Sequence, residues 1–568
     1  MTNNQTISMP LALAQNAVLS SAPVGNNSAS IKGALIFNGP ISGPFGLTTT
    51  GKNYVQFNGT NSYSGDTTIA SSGGDIYISI GSDRAFGTGR VKFGPYSYAS
   101  QLWATPSGGD RVVTNDVDIL TVLFIAHNAT VAGKAPGGLT LSGNVRVLPT
   151  SGFYVKANSL TLSGTVSGGG SAANVFELRA GKLNLWGNNT FTNTLIVTYP
   201  GYGAARVLNI NSDASLGHIN NGVRLQTSAT LQLPVSTNVV LAPSRMINIT
   251  SNYVATFDIP SGASLTLNGP VTNSGAVVKS NSGTLTLAGV NSYSGGTTLW
   301  GGALEVNNDA SLGALPAVPS TNLRFAASST LRAVANHTLA ANRTLAIDAN
   351  VAATFEPQGF TQTVCGVISG GAGSRLVKTG TGTVALDPGA DRTNSVWSLS
   401  AKAGTLKLNV SNTLWTGGSL WVASNAVFDV NGKSQTLAEL AGSGTVINNG
   451  QLSVTAGVAP GTTNMIGTLT LASSPAALGG DFRVDVAADG ACDRLHVQGD
   501  LDLTGLNVAV SNPETLNKFA RYVIASCEGT LTGPFLSEAL PSRWQLSYNA
   551  AAREVLLRYD FGTLMLLN

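Results

Sequence analysis

The sequence is poor in cysteine and in charge. Its three cysteines, Cys365, Cys492 and Cys527, are an odd number and include no Cys-x-x-Cys pair. This excludes a disulfide framework, while a pairing of Cys492 with Cys527 stays open. Charged residues make up 10% of the chain, against roughly 25% in a typical soluble domain. The 31 basic and 28 acidic side chains are scattered, so no nucleic-acid partner is predicted, because such a partner usually requires a clustered basic face.

Long apolar runs are also missing. No stretch approaches the ~18 apolar residues of a membrane-spanning helix, so no integral membrane segment is predicted. The N-terminus lacks the basic residues that begin a signal peptide. Residues 9–14, MPLALA, nevertheless resemble an apolar signal core with an Ala-x-Ala site. We therefore interpret residues 1–30 as either an apolar N-terminal arm or a processed segment.

Glycine, serine, threonine and asparagine fill the place of the missing charge, and glycine alone contributes 67 residues. Glycine costs backbone entropy, and the other three compete for backbone hydrogen bonds, so long helices are disfavoured. The same residues suit short strands joined by tight turns. Valine, leucine and isoleucine recur at alternating positions throughout, which argues against a disordered chain.

Short Leu-Thr-Leu strands, each closed by a small residue and glycine, recur along the chain at Leu139, Leu160, Leu265 and Leu285. Alternation with period two places both leucines on one face of the strand and threonine on the other. The spacings of 21 and 20 residues match about one turn of a three-sided parallel β-helix. We therefore predict an all-β chain with a parallel β-helix (β-solenoid) over residues 31–480.

One longer phrase is written twice almost unchanged. Residues 61–68 read NSYSGDTT and residues 291–298 read NSYSGGTT, with a degenerate copy, NTFTNT, at 189–194. Each copy is followed by an aspartate with a glycine four residues further on. Repetition on this scale indicates a stacked architecture. A chain of repeated structural phrases is more often a stalk, fibre or surface than a catalyst.

The repeats resemble the autotransporter-associated β-strand repeat, also called the passenger-associated transport repeat. Residues 282–306 carry its ordered pattern of a glycine turn, a Leu-Thr-Leu strand, Asn-x-Tyr-Ser-Gly, threonine and a Gly-x-Leu strand. A second match begins at residue 376 and resumes at residue 404 but lacks the Tyr-Ser-Gly core. The resemblance implies a right-handed β-helix that a bacterium exports to its surface or beyond.

Charge and aromatic residues increase from about residue 481. Strongly alternating segments follow, and this region is similar to the C-terminal folding region that caps autotransporter passengers. Because an open last rung would recruit other strands, we predict a β-rich capping region over residues 481–560. Residues 561–568 form an apolar C-terminal tail.

No catalytic, cofactor-binding or metal-binding residue is predicted, and no cofactor is implied. The histidines share no ligand spacing, and they are His127, His218, His337 and His496. The nearest acidic pair, Asp116 and Asp118, occupies alternate strand positions and in principle suits acid–base chemistry. It lacks a basic or aromatic partner motif, so we expect a solvated strand face and no enzyme.

Two further patterns have both a ligand-binding and a structural interpretation. The repeated Asp83, Asp213 and Asp309 suggest calcium, but the Gly-Gly-x-Gly-x-Asp nonapeptide is missing. A turn in which aspartate accepts backbone N–H bonds and glycine takes positive φ fits better. Tyr63 and Tyr293 suit a sugar-stacking platform or, more simply, aromatic stacking between rungs.

These observations predict an exported structural β-solenoid of a bacterial cell surface or extracellular fibre, with adhesion as a further role and surface glycans as candidate ligands. Both chain ends are apolar, at residues 10–19 and 564–567. An apolar arm can add as a strand to a neighbour's edge, and head-to-tail contacts of this kind build open filaments. We therefore expect self-association through the ends. The alternative is a polysaccharide-binding or polysaccharide-degrading β-helix.

Overall fold

The computed structural model describes residues 4–21, 34–52, 54–70, 72, 74–95, 99–105, 109–125, 137–149, 151–156, 159–169, 175–198, 205–389, 394–461, 465–473 and 476–562. Within these residues the secondary structure is strand with three short 3₁₀ turns, Asp213–Leu216, Asp309–Leu312 and Pro513–Thr515, and contains no α-helix. The chain divides into two compact units, residues 1–295 and 296–568.

The first unit is a parallel β-solenoid whose successive coils add strands to the same sheets. Sheet 1 contains, in pairing order, Gln5–Ile7, Ala34–Phe37, Tyr54–Phe57, Ile76–Ile80, Ser100–Ala104, Val122–Ile125, Gly152–Val155, Val175–Leu178, Leu195–Val197, Val223–Leu225, Ile247–Ile249 and Val271–Thr272. Sheet 2 contains Ala17–Ser21, Leu47–Gly51, Thr67–Ala70, Val91–Phe93, Val117–Ile119, Val145–Val147 and Val166–Gly168.

Two further sheets and a strand pair complete the first unit. Sheet 3 contains Arg111–Val113, Leu139–Leu141, Ser159–Leu162, Gly181–Leu185, Arg206–Ile210, Ala229–Gln232, Val254–Asp258 and Ala276–Ser280. Sheet 4 contains Asn238–Leu241, Ser264–Leu267 and Thr284–Leu287. The pair is formed by Leu11–Ala12 and Ile41–Ser42.

The second unit repeats this architecture until its last two strands. Sheet 5 contains Thr297–Leu299, Ser320–Phe325, Arg343–Ile347 and Ile368–Gly370. Sheet 6 contains Ala303–Val306, Ser329–Ala333, Ala352–Glu356, Arg375–Lys378, Ser398–Ala401, Ser419–Val422, Ser434–Gly442, Gln451–Pro460, Gly480–Val484, Leu506–Val510 and Ser537–Ala539, with Ala477–Leu478 beside Gln451–Pro460.

Sheet 7 is the remaining large sheet of the second unit. It contains His337–Leu339, Thr361–Val364, Thr383–Leu386, Gly404–Leu408, Ala426–Asp429, Thr445–Asn448, Thr468–Ser473, Arg494–Val497, Tyr522–Cys527, Glu554–Tyr559 and Trp544–Asn549. Leu501–Asp502 pairs with Leu531–Thr532.

Like residues stack on like residues, which confirms the predicted β-solenoid. Leu139 pairs with Leu160, and the intervening Thr140 pairs with Thr161. The leucines point inward and are at most 1% exposed, while the threonines lie half-exposed on the outside. Each buried aliphatic side chain contributes about 1.5–3 kcal/mol, so the core is a sum of many similar layers rather than one central cluster.

The repeated asparagine of the NSYSG phrase joins three neighbouring coils. The Asn61 side-chain oxygen accepts from the Ile41 N–H at 2.8 Å, one coil earlier, and its amide donates to the Ala85 carbonyl at 2.6 Å, one coil later. Asn189 makes the same pair of bonds, with the Val166 N–H and the Ser215 carbonyl. In the coils that carry the phrase, the asparagine thus connects neighbouring coils at a corner that lies outside the strands.

Two lysines occupy inward positions that neighbouring coils fill with phenylalanine. Lys279 pairs in register with Phe257, and Lys378 pairs with Phe355. Both are buried, and each ammonium donates to turn carbonyls, those of Ser280 and Asn281 in the case of Lys279. Burial lowers the pKa of each lysine to about 8. Each buried ammonium group thus has turn carbonyls as hydrogen-bond acceptors.

Part of the predicted N-terminal arm or processed segment, residues 1–30, forms strands. Within residues 4–21, the strands Gln5–Ile7, Leu11–Ala12 and Ala17–Ser21 pair in parallel with the following coil. The segment is thus built as a first coil, because its alternating apolar residues follow the same strand register. Residues 1–3 and 22–30 lie outside the described residues, and processing of the segment stays a prediction.

The predicted capping region, residues 481–560, contains both parallel and antiparallel strand pairs. Parallel pairing continues past residue 481, as far as Ser537–Ala539 on Leu506–Val510. The change of direction comes later, where Glu554–Tyr559 pairs antiparallel with both Tyr522–Cys527 and Trp544–Asn549. The cap on sheet 7 is therefore a two-stranded hairpin over residues 544–559. Of the predicted apolar tail, residues 563–568 lie outside the described residues.

Candidate binding surface

Asp118 lies on the outer face of sheet 2, where charged residues from successive coils are aligned. Lys92 pairs in register with Asp118, and Asp118 pairs with Arg146. Both neighbours in this ladder are cations, so the carboxylate lies between opposite charges. Asp116 stands just before the strand Val117–Ile119, on the same side of the coil.

Ion pairs tie these side chains together across coils. The Arg146 guanidinium donates to both oxygens of Asp118, at 3.0 and 2.9 Å. The Arg90 guanidinium bridges Asp118 at 3.0 Å and Asp116 at 3.1 Å. Lys92 lies 2.6 Å from the Asp66 carboxylate. The Asp118 side chain is 3% exposed, so the expected solvated strand face is wrong for this residue, because two arginines cover it.

An open hollow of about 860 Å³ lies over this cluster. Its lining consists of the ion-paired groups and a few uncharged side chains. The lining residues are Asp66, Arg90, Lys92, Asp116, Asp118, Leu120, Asn144, Arg146, Thr165 and Ser167. Within the described residues of this otherwise charge-poor chain, the hollow brings together three acids and three bases.

The hollow is poorly arranged for acid–base catalysis. A general acid must carry a proton near working pH, whereas neighbouring cations favour the ionised carboxylate. Lys92, through its hydrogen bond, lowers the pKa of Asp66. Asp116 and Asp118 are each held by arginine. The cluster is therefore better suited to presenting fixed hydrogen-bond donors and acceptors than to transferring protons.

The three repeated aspartates form turns, as the structural interpretation predicted. Residues 213–216 and 309–312 are 3₁₀ turns, and the glycine that ends each turn has positive φ, 74° and 80°. Asp83 and Gly87, with φ 63°, form a similar turn. Each aspartate accepts a backbone N–H from the next coil, from Val112, Ala242 and Ala340 respectively. Each carboxylate thus connects its turn to the backbone of the next coil.

A buried arginine completes two of these turns. Arg245 forms a two-pronged ion pair with Asp213 and donates to turn carbonyls that include Gly217 at 2.9 Å. Arg343 holds Asp309 in the same way and donates to the Gly313 carbonyl. The two arginine side chains are 2% and 0% exposed. At these two turns the aspartate carboxylate therefore binds a guanidinium group.

In the first copy the corresponding position holds an asparagine. Ala242 and Ala340 donate the N–H groups that bind Asp213 and Asp309, and an arginine follows three residues after each donor. In the first copy the donor is Val112, and the residue three positions later is Asn115. The Asn115 amide donates to the Gly87 carbonyl at 3.2 Å and to the Gly89 carbonyl at 2.6 Å. The turn is therefore kept without the buried charge.

The repeated aromatic residue is a core residue. Tyr63 and Tyr293 are 0% exposed, and Phe191 of the third copy is 2% exposed. The Tyr63 hydroxyl lies 2.5 Å from the Thr67 hydroxyl, and burial raises the pKa of Tyr63 to about 12. The buried rings have no free face for a sugar, and aromatic stacking of Tyr63 and Tyr293 between rungs stays a prediction.

An aromatic column lies on sheet 1, whereas the hollow lies on sheet 2. Phe124 and Tyr154 are register neighbours whose ring centroids lie 4.8 Å apart. The Arg179 guanidinium covers Tyr154 at 3.8 Å, and the Lys156 ammonium covers Phe124 at 4.6 Å. Because the ring faces are covered, the column stabilises the stacking of coils and presents mainly ring edges.

The remaining candidates do not come together. His337 is buried and its pKa is lowered by burial, His218 is exposed, and His496 lies 3.5 Å from Glu528; His127 is outside the described residues. Cys365, Cys492 and Cys527 are free thiols. In the described part of the chain, no group of three potential metal ligands is found.

Among the residues that the structure describes, no helix is long and apolar enough to cross a membrane.

Comparisons with known proteins agree with the fold. Residues 277–306 match the family model described as the passenger-associated transport repeat. The chain is also similar to the adhesin BmaC autotransporter of Brucella suis biovar 1 (strain 1330), with 26% identity over 468 residues. The alignment covers 72% of this chain but only 13% of that relative's length. These findings indicate a bacterial protein of the cell surface or extracellular space, and they support a β-helical protein that is similar to autotransporter passengers.

Proposed function

We propose that the protein is a non-catalytic adhesive component of the bacterial surface. The observation that carries the proposal is the similarity to an adhesin autotransporter over most of the chain. The chemistry of the hollow supports it, because Asp116 and Asp118 are held in ion pairs. Thr140 and Thr161 form part of an outward-facing ladder of hydroxyl groups, which can donate and accept hydrogen bonds.

Beads coated with the purified chain test this function. We expect them to bind cultured epithelial cells several-fold more than albumin-coated beads do, and to release no reducing ends from a panel of neutral and acidic polysaccharides. Binding at the albumin level would contradict adhesion. Reducing-end release that disappears in Asp118→Asn would instead establish the degrading β-helix.

A second proposed property is self-association through the end of the first unit. In the described residues, Gln5–Ile7 and Ala17–Ser21 each pair on one side only, and an unpaired strand edge can accept another chain. We therefore propose that the contact lies at these strand edges rather than in a free arm. Sedimentation velocity should show concentration-dependent oligomers that Val18→Pro weakens, because proline removes an edge N–H. A monomer at all concentrations would exclude self-association.

A further inference from the structure

We propose that the hollow on sheet 2 binds an uncharged polysaccharide through its hydroxyl groups. The inference rests on the proposed adhesive function, since it names the ligand class of one adhesive surface and its location. It concerns the outer ladder of five successive coils, which contains Thr68, Lys92, Asp118, Arg146 and Ser167 in register.

The polar groups of the hollow are fixed before any ligand arrives. Asp118 is held by Arg90 and Arg146 together, and Asp116 accepts the Asn144 N–H at 2.9 Å besides its contact with Arg90. Donors and acceptors held in place lose little side-chain entropy on binding, which favours affinity. Arg146 is 57% exposed, so this guanidinium remains accessible to a ligand while Asp118 orients it.

The charge balance selects the ligand class. The hollow has three carboxylates, Asp66, Asp116 and Asp118, and three cations, Arg90, Lys92 and Arg146, so its formal charge is zero. A polyanion would meet the carboxylates and a polycation would meet the cations. A hydroxyl group both donates and accepts hydrogen bonds. Vicinal hydroxyls therefore match neighbouring carboxylate and guanidinium groups without displacing the ion pairs.

The direction of the ladder favours a polymer rather than a single sugar. Parallel strands lie about 4.8 Å apart, so polar groups repeat along the ladder at this interval. At the two ends of the ladder, the residues next to Lys92 and Arg146 are Thr68 and Ser167, which present hydroxyl groups instead of charges. An extended chain of sugar rings lying along the ladder meets a hydrogen-bonding group at each coil.

A steric block tests the proposal without breaking an ion pair. Ser167→Trp fills the hollow from its rim, and Thr266→Trp is the matched control, because Thr266 is an outward residue of strand Ser264–Leu267 in the same unit. Circular dichroism and urea unfolding should show that both variants keep the wild-type fold. The probes are mannan, laminarin and dextran as neutral chains, and polygalacturonate and heparin as anionic chains, in affinity electrophoresis and biolayer interferometry.

We expect the intact chain to bind at least one neutral probe with little dependence on salt. Ser167→Trp should weaken this binding by tenfold or more, equivalent to about 1.4 kcal/mol, while Thr266→Trp leaves it unchanged. The proposal is overturned if no neutral probe binds or if both tryptophan variants bind the neutral probe equally. It is also overturned if only the anionic probes bind and salt abolishes their binding. Bead adhesion without neutral-glycan binding would refute this inference alone, whereas glycan binding without bead adhesion would refute the adhesive function alone.

Discussion

A chain truncated after Pro541 is expected to aggregate, because the truncation removes the hairpin that covers sheet 7. Glu554–Tyr559 pairs with Tyr522–Cys527, and without it the latter strand becomes an open edge that can accept strands from other molecules. The truncation also removes Val555 and Leu557, both 0% exposed, from the core. Each such residue contributes about 1.5–3 kcal/mol when buried.

The measurement is light scattering coupled to size-exclusion chromatography, with a chain that ends at Gly562 as the control. That control keeps the whole hairpin and the contact between Phe519 and Phe561, whose ring centroids lie 5.8 Å apart. We expect the control to elute like the intact chain and the truncated chain to elute as large, heterogeneous species. Similar elution of the two shortened chains would show that the hairpin does not protect this edge.

Replacing Arg343 with methionine should destabilise the second unit by about 3–5 kcal/mol, the usual effect of removing one partner of a buried ion pair. The Arg343 side chain is 0% exposed. Its guanidinium binds both oxygens of Asp309 and the Leu312 and Gly313 carbonyls. Without it, the Asp309 carboxylate keeps the Ala340 N–H but loses its charged partner, and the two carbonyls lose this donor.

Arg324→Met is the matched control for Arg343→Met. Arg324 also pairs with an aspartate, Asp348, but its side chain is 54% exposed, and exposed ion pairs contribute only about 0–1 kcal/mol. Urea unfolding gives the two free energies, and hydrogen exchange over residues 309–345 shows whether the loss is local to the turn. Equal effects of the two substitutions would contradict a structural role for the buried arginine.

Much of the solenoid follows from local patterns in the sequence. The alternation in the Leu-Thr-Leu strands indicates which side chains point inward, and the 21-residue spacing indicates which strands are neighbours. Leu139 and Leu160 are indeed register partners, as are Leu265 and Leu285. These predictions hold because a strand with period two has one face to bury and the coil returns to the same face.

Contacts between coils of unequal length were harder to predict. Arg245 follows Asp213 by 32 residues, and Arg343 follows Asp309 by 34, whereas the Leu-Thr-Leu strands repeat after about 20. The signal for Arg146 was available, because Val145 and Val117 head strands of one sheet and Asp118 and Arg146 each follow directly. The length of each coil must be known before Asp118 and Arg146 can be identified as register partners. For this reason the sequence does not predict the ladder of Lys92, Asp118 and Arg146 or the hollow over it.

The most direct test of the parallel stacking is a spin–spin measurement on outward register partners. Thr266→Cys and Thr286→Cys, made in a chain whose three native cysteines are replaced by serine, place nitroxide labels on residues that are Cα partners in adjacent coils. Backbones about 4.8 Å apart should give strong dipolar broadening in the doubly labelled chain. A doubly labelled spectrum that equals the sum of the two singly labelled spectra would contradict the stacking of these coils.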